Sequence, residues 1–174
     1  MREPSAIFLH HADFIRSRRR VTLDRLAQTM QQQGQYIAQA AAIPFRVNAE
    51  GKGKSRRVEV LLIRRRDKSK WGIPKGLVDA GFTHRQAAAN EAREEAGIKG
   101  VVSNKALGSF TYEKFGGTCL VEVYPMRVTA VLPHWDEEGY RVRQWFEIRD
   151  AAGQVSRDDV GKLIARLART LARE

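Results

Sequence analysis

The chain has 174 residues, of which 43% are hydrophobic, which indicates one folded domain with additional length at an end and excludes a wholly disordered chain. Its 31 Lys and Arg against 20 Asp and Glu give a formal net charge of +11, which favours anionic partners such as polyphosphates, nucleic acids or anionic membrane surfaces. A single cysteine, Cys119, excludes an intramolecular disulfide, and we identify no signal peptide or membrane span, so the expected location is the cytoplasm.

Residues 1–40 are predicted to form an N-terminal extension, and residues 41–174 the folded domain. Thr22 can cap a short amphipathic helix within the extension, directly after the basic run Arg16–Arg20. We interpret this run as a solvated charge cluster, with an anion-binding arm as the alternative.

The first part of the domain alternates strands with loops. Strands are predicted around Ile43–Val47 and at Val58–Ile63, with a turn rich in Gly and Lys at Asn48–Ser55 between them. The second strand continues into Arg64–Arg66, and Pro74–Gly81 is predicted as a loop. A strand that continues into basic residues and then into a glycine-containing loop is suited to placing positively charged side chains beside that loop.

The next element is a helix with signals at both ends. Thr83 and Gln86 have the spacing of a capping box, so the helix is predicted to begin there. Gly97 is the glycine that ends it.

Three glutamates lie close together on this helix. Glu91, Glu94 and Glu95 have i, i+3, i+4 spacing, which places their carboxylates on one face within about 6 Å along the axis. Such carboxylates repel each other unless a cation lies over them. Hard oxygen ligands suit Mg²⁺, with Mn²⁺ as an alternative, and the carbonyl of Gly76 could add a further ligand.

The rest of the chain completes a sheet and a second helix layer. A hairpin is predicted at Gly116-Gly117, between strands Gly108–Phe115 and Thr118–Val128, and a further strand at Arg143–Ile148. The C-terminal helix is predicted to be capped by Ser156 and Asp159, with this apolar stripe: Val160, Leu163, Ile164, Leu167 and Leu171. The predicted fold class is α/β (α+β), a mixed β-sheet between helices in three layers, α/β/α.

The segment Gly76–Ile98 resembles the signature of the Nudix hydrolases. That signature is a Gly, five residues, a Glu, seven residues, and then Arg-Glu-apolar-any-Glu-Glu-any-Gly-apolar. The glycine and the three glutamates match it, whereas Phe82 stands in place of the first Glu and Asn90 in place of the Arg. In the family these two side chains pair with each other, so losing both leaves no single charge without its partner.

The resemblance extends outside this segment to one branch of the family. The segments WGIPKG and RQWFEI, together with Trp135 and its neighbouring acids, resemble the diphosphoinositol polyphosphate phosphohydrolases, over roughly Ile43–Leu171. Members of that branch also cleave diadenosine polyphosphates. The resemblance implies a Nudix fold and hydrolysis of a phosphoanhydride bond.

The resemblance also implies roles for individual residues. Glu91 and Glu95 would be the principal Mg²⁺ ligands and Glu94 an assisting one, so that all three are candidate catalytic residues. The residue that takes the proton from the attacking water stays open among Glu94, Glu137 and Glu138.

The phosphates of the substrate need cations to neutralise them. Arg46 occupies the position at which the phosphohydrolase branch carries a phosphate-binding arginine. Arg64 and Arg66 leave the second strand, and Lys75 directly precedes Gly76, so these three are further candidate substrate-binding residues.

The sequence thus predicts a Mg²⁺-dependent pyrophosphohydrolase acting on diphosphoinositol polyphosphates or diadenosine polyphosphates. One alternative is a nucleoside-diphosphate or RNA 5′-end pyrophosphohydrolase. A second is a non-catalytic module that binds nucleic acid or polyphosphate, which the departures at Phe82 and Asn90 motivate. The predicted partner is a small-molecule polyphosphate, with nucleic acid ranked second and no membrane partner.

Overall fold

The computed structural model describes residues 36–48 and 57–173. Its elements in chain order are β1 (Ile37–Asn48), β2 (Arg57–Arg65), β3 (Lys75–Leu77), α1 (His84–Ala96), β4 (Ile98–Val102), β5 (Gly108–Lys114), β6 (Gly117–Val131), β7 (Arg141–Glu147), α2 (Ile148–Gln154) and α3 (Asp158–Leu171). The helix and the basic run predicted within residues 1–35 lie outside the described residues, as does most of the predicted turn at residues 48–55. The division between residues 40 and 41 stays a prediction, and β1 begins at Ile37.

Two compact units can be distinguished. The larger contains residues 38–110 and 120–173, and the smaller contains, among the described residues, Tyr36, Ile37 and residues 111–119. Within the smaller unit the hairpin turn has positive φ at Phe115 (58°) and Gly116 (73°), as a two-residue type I′ turn requires. The turn therefore begins one residue before the predicted Gly116-Gly117 pair, because Gly117 already belongs to β6.

The strands of the larger unit form a sheet in the order β4–β6–β1–β2–β7, while β3 pairs with β1 and β5 with β6. β3 is the main departure from the predicted elements. It runs antiparallel to β1, with Gly76 opposite Ala40, at a place where the sequence predicts a loop. This pairing attaches the segment before α1 to the sheet.

Helix α1 packs on one face of the sheet through small side chains. Alternate residues of β1 and β2 point toward the helix, and alanines on the helix allow close approach. The buried cluster between them includes Ala40, Ala42, Leu61, Ile63, Ala88, Ala92 and Ala96. Helix α1, which carries Glu91, Glu94 and Glu95 and is called the glutamate helix below, is therefore fixed against β1 and β2.

The opposite face of the sheet is covered by the C-terminal helices. The intervening residues of β2, Val60 and Leu62, are fully buried, and α2 contacts both β2 and α3. The predicted apolar stripe of α3 is buried as expected. Helix α2 was not predicted, since its seven residues bury only Ile148 and Ala151 and are too short to show helical periodicity. The predicted α/β/α fold class is confirmed.

The predicted cap of the C-terminal helix is wrong. The residue at the N-cap is Arg157, which makes no capping hydrogen bond through its side chain. Asp159 lies inside the first turn, where its Oδ1 accepts from the backbone N–H of Val160 at 2.8 Å. In the described ranges, none of the helices is both long and apolar enough to cross a membrane.

Candidate active site

The ends of α1 are set by local hydrogen bonds, as predicted. At its start the backbone N–H of Gln86 donates to the hydroxyl of Thr83 at 3.3 Å, and that of Thr83 donates to the side chain of Gln86 at 2.9 Å. At its end Gly97 has φ 60°, in the left-handed region that glycine adopts without a steric penalty. The three glutamates consequently lie in the last two turns.

Arg143 of β7 completes the C-terminal end of α1. Its guanidinium donates to the carbonyls of Ala96 (2.8 Å) and Gly97 (2.9 Å), and it stacks on the ring of Trp135 at 3.9 Å. Burial lowers the pKa of Arg143 from its usual value, and the charge of Glu138 opposes this. A Cβ on Gly97 would lie 2.7 Å from Cγ of Trp135, so Gly97 is needed for close packing as well as for its backbone conformation.

Glu95 is the most buried acid of the site, with 9% of its surface exposed. One oxygen accepts the backbone N–H of Lys75 at 3.0 Å, and the other accepts from the guanidinium of Arg141. Burial raises the pKa of Glu95 to about 7, opposed by Arg141 and the Lys75 N–H and reinforced by the charge of Glu137. At neutral pH this carboxyl is therefore poised between its two protonation states.

Glu91 lies against Gly76 of β3. A Cβ added to Gly76 would lie 2.1 Å from Oε1 of Glu91, so the carboxylate occupies the space that any larger residue at position 76 would fill. Glu91 and Glu95 are one helical turn apart, and both contact β3. The structure therefore brings together three of the four predicted metal ligands, namely Gly76, Glu91 and Glu95.

Glu94 has a different environment. Its carboxylate accepts from Arg93 at 3.0 Å, and Arg93 also donates to Asp136 at 3.1 Å. Within residues 36–48 and 57–173, no group of three or more acidic, histidine or cysteine side chains converges on one point. The carboxylate of Glu94 thus pairs with Arg93, and its predicted part as an assisting metal ligand stays a prediction.

The oxygen atoms of Glu91, Glu95 and Gly76 are nevertheless of the type that Mg²⁺ binds in proteins. Mg²⁺ usually keeps several waters and is held by one or two carboxylates together with substrate phosphates, rather than by a complete protein cage. Glu91 and Glu95 supply two carboxylates beside the backbone of Gly76.

The predicted phosphate ligand Arg46 has acidic and aromatic partners. It lies opposite Glu59 in the β1–β2 register, and its Nε donates to that carboxylate at 2.7 Å. Its guanidinium also lies 4.1 Å from the ring centre of Trp145. Asn48 donates to the same oxygen of Glu59 at 2.6 Å, so Arg46 belongs to a hydrogen-bonded cluster.

The other predicted substrate cations contact different parts of the protein. Arg64 donates to the carbonyl of Lys68 at 2.9 Å, and it follows Ile63, which faces α1, so it points to the opposite face of the sheet. Arg66 donates to the carbonyls of Glu138 (3.0 Å) and Gly139 (3.1 Å) in the loop before β7. Lys75 contacts Glu95 through its backbone N–H.

Arg141 and Arg143 were not predicted as site residues. They alternate along β7, opposite Arg65 and Ile63 of β2, so both point to the face on which α1 packs. Arg141 also donates through Nε to Glu137, one of the predicted loop acids. The alternation Arg-Val-Arg was the signal in the sequence that could have identified them.

The segment before α1 is held without the ion pair that the family places there. Phe82, which stands at the position of the family's glutamate, is 45% exposed, and its backbone N–H donates to the carbonyl of Asp79 at 3.0 Å. This turn and the capping box position the start of the helix. The loss of the pair at Phe82 and Asn90 therefore leaves an ordered turn in place.

The raised pKa of Glu95 predicts how the stability of the metal-free protein depends on pH. Between pH 4.5 and about 7 the folded state binds a proton at Glu95 that the unfolded state has lost, so the free energy of unfolding should fall as pH rises. The total fall is on the order of 3 kcal/mol, because each tenfold change in a proton-binding constant corresponds to about 1.4 kcal/mol. Urea unfolding in EDTA from pH 5 to 8 measures this fall in the free energy of unfolding, and the fall should be absent in Glu95→Gln. Equal slopes in both proteins would contradict the assignment.

The architecture and the glutamate helix define an α/β/α protein with a carboxylate site between a helix and a short strand. The family model of the NUDIX domain matches residues 38–167, and the chain belongs to the Nudix family. It is 34% identical over 124 residues to "Nudix hydrolase 16, mitochondrial" of Arabidopsis thaliana, covering 64% of this chain and 68% of that one. It is 35% identical over 115 residues to "Diphosphoinositol polyphosphate phosphohydrolase 2" of Rattus norvegicus, covering 64% and 59%.

A solved structure supports the fold. An Ap4A hydrolase of C. elegans matches with a TM-score of 0.60 and 24% identity, over 78% of this chain and 98% of that one. The chain spans only about half the length of two other relatives, the Arabidopsis "Nudix hydrolase 13, mitochondrial" (52%) and "Nudix hydrolase 12, mitochondrial" (51%). Membership of the Nudix hydrolase family is thus shown.

Proposed function

We propose that this chain is a Mg²⁺-dependent pyrophosphohydrolase of a highly phosphorylated substrate, of the diphosphoinositol polyphosphate or diadenosine polyphosphate type. The observation that carries the proposal is the placement of Glu91 and Glu95 against β3 at Gly76 in a member of the Nudix family. The names of the rat relative and of the C. elegans structure support the two substrate types.

Glu91 and Glu95 are proposed to hold Mg²⁺ or Mn²⁺, with Glu94 assisting and the carbonyl of Gly76 as a further ligand. When bound, such an ion neutralises phosphate oxygens and acidifies a water. Burial of Glu95 and its two hydrogen bonds hold that carboxylate in one orientation before the ion arrives. The glycine at position 76 leaves room for the Glu91 carboxylate.

Glu137 is the proposed acceptor of the proton from the attacking water. Through Arg141 it is linked to Glu95, whereas the carboxylate of Glu138 contacts His134 at 3.2 Å. Glu137 is thus the loop acid that the hydrogen-bond network joins to Glu95.

The basic residues are proposed to bind the phosphates of the substrate. Lys75 and Arg66 are the stronger candidates, since one directly precedes Gly76 and the other holds the loop that carries Glu137. Arg46 would exchange its contact with Glu59 for a phosphate, and arginine can contact a phosphate through two N–H groups. Arg64 is the weakest candidate, because it points to the other face of the sheet.

A substrate panel tests this function. The protein should release phosphate or nucleotide from an inositol pyrophosphate or from diadenosine tetraphosphate only when Mg²⁺ is present. Preference for a nucleoside diphosphate or a 5′-triphosphorylated RNA would instead support the first alternative. Salt-dependent RNA binding without turnover of any phosphoanhydride would refute the enzymatic proposal and support a binding module.

The cytoplasm is the proposed location. The names of the Arabidopsis relatives include the word "mitochondrial", which makes that organelle the alternative. Fractionation of cells that express the native protein decides between the two.

A further inference from the structure

We propose that Arg141 is a positioning residue that holds Glu137, an acid from outside the glutamate helix, beside Glu95. Its part in turnover rests on the proposed function, whereas its part in ordering the loop does not. The loop concerned is Leu132–Tyr140, between β6 and β7, and it is called the acidic loop below.

Arg141 contacts both carboxylates and the loop backbone. Its Nη2 donates to Oε1 of Glu95, its Nε donates to Oε2 of Glu137, and its backbone N–H donates to the carbonyl of Glu137 at 2.9 Å. Its side chain is 20% exposed, against 11% for Glu95 and 23% for Glu137. Hydrogen bonds from a charged guanidinium that is this far removed from water are among the stronger ones in proteins.

The guanidinium of Arg141 lies between the carboxylates of Glu95 and Glu137 and reduces the repulsion between them. Glu137 raises the pKa of Glu95, which means that the two acids repel each other. The planar guanidinium satisfies both at once through two different nitrogens, whereas the ammonium of a lysine is a single point charge. Arg141 therefore offsets the repulsion between two acids that come from different segments of the chain.

Further hydrogen bonds hold the acidic loop on both sides of the contact between Arg141 and Glu137. The backbone N–H of Glu137 donates to the carbonyl of Glu94 at 3.1 Å, which joins the loop directly to α1. The backbone N–H of Arg66 donates to the carbonyl of Tyr140 at 2.9 Å, and the Arg66 side chain donates to Glu138 and Gly139. Arg141 is the first residue of β7, so the sheet fixes its backbone.

Hydrogen exchange of the metal-free protein tests the ordering role. In Arg141→Gln the backbone amides of Glu137 and Arg141 should lose at least tenfold in protection, while the amides of β1 and β2 keep theirs and show that the variant is folded. Arg65→Gln is the matched control, because Arg65 lies opposite Arg141 in the register and donates to Asp67 instead. Unchanged protection in Arg141→Gln, or equal loss in the control, would overturn the proposal.

Mn²⁺ affinity, measured by electron paramagnetic resonance of free Mn²⁺, tests whether Arg141 acts through Glu137. Arg141→Gln and Glu137→Gln should each weaken binding by about tenfold, the lower end of what outer residues of a metal site contribute. The double variant should bind no more weakly than Arg141→Gln, because the two changes remove one shared interaction. If the double variant lost Mn²⁺ affinity by the product of the two single losses, the two residues would act independently and the proposal would be wrong.

Arg141→Lys separates charge from geometry. If the two-point contact matters, lysine restores neither the amide protection nor the Mn²⁺ affinity. Full restoration of both would show that a positive charge alone suffices and would overturn the positioning role. Wild-type protein that orders the loop and binds Mn²⁺ but turns over no phosphoanhydride would refute the proposed function and leave this inference standing.

Discussion

Glu95→Gln is expected to lower kcat/KM with the best substrate by about 100- to 1,000-fold. A carboxylate that holds the metal contributes several kcal/mol to stabilising charge in the transition state, and each 1.4 kcal/mol corresponds to about tenfold in rate. Glutamine keeps the size of the side chain and an acceptor for the backbone N–H of Lys75, so the fold around it should persist. Initial rates at saturating Mg²⁺ measure the effect.

Glu94→Gln is the matched control for that change. Glu94 lies on the same helix, but its carboxylate pairs with Arg93, so we expect a loss below about tenfold. If Glu95→Gln retained the wild-type rate on every phosphoanhydride, the proposed metal role would be wrong. If Glu94→Gln lost as much as Glu95→Gln, the carboxylate of Glu94 would have to turn into the site when the ion binds.

Gly76→Ala is expected to reduce activity and metal affinity by about 10- to 100-fold, with little change in stability. The new methyl group would lie 2.1 Å from Oε1 of Glu91 and would displace that carboxylate, whose flexible side chain can move without unfolding the protein. We expect the free energy of unfolding to change by about 1 kcal/mol or less. Mn²⁺ titration and urea unfolding of the same samples measure the two quantities.

Gly72→Ala is the control for Gly76→Ala. Gly72 lies four residues earlier in the same segment, and no atom lies within 4 Å of a Cβ added there, so this variant should match wild type in both measurements. Equal metal affinity in Gly76→Ala and wild type would show that the position of Glu91 beside β3 has no part in binding the ion.

Helix α1 shows what local sequence signals can predict. Thr83, Gln86 and Gly97 act through backbone groups within five residues of themselves, so the limits of the helix follow from nearby residues alone. The same holds for the face that the glutamates share, since it depends only on the helical period. The apolar stripe of α3 was likewise predictable from its spacing.

Features that depend on distant residues were missed. The short strand β3 exists because Lys75–Leu77 pairs with β1, some 35 residues earlier, and Lys75–Leu77 has no strand pattern of its own. Long-range pairing leaves no local pattern that would predict this strand.

The glutamate helix, the family to which it belongs and the chemistry of its carboxylates follow from the amino-acid sequence, since each depends on spacing within about twenty residues. The tertiary structure decides where each of these carboxylates lies. It sets Glu91 against Gly76 and buries Glu95 beside Arg141, whereas Glu94 pairs with Arg93, its neighbour on the same helix. The physical reason is that burial and contacts with other strands determine the environments of Glu91 and Glu95 and raise the pKa of Glu95, and none of these contacts follows from the helical period.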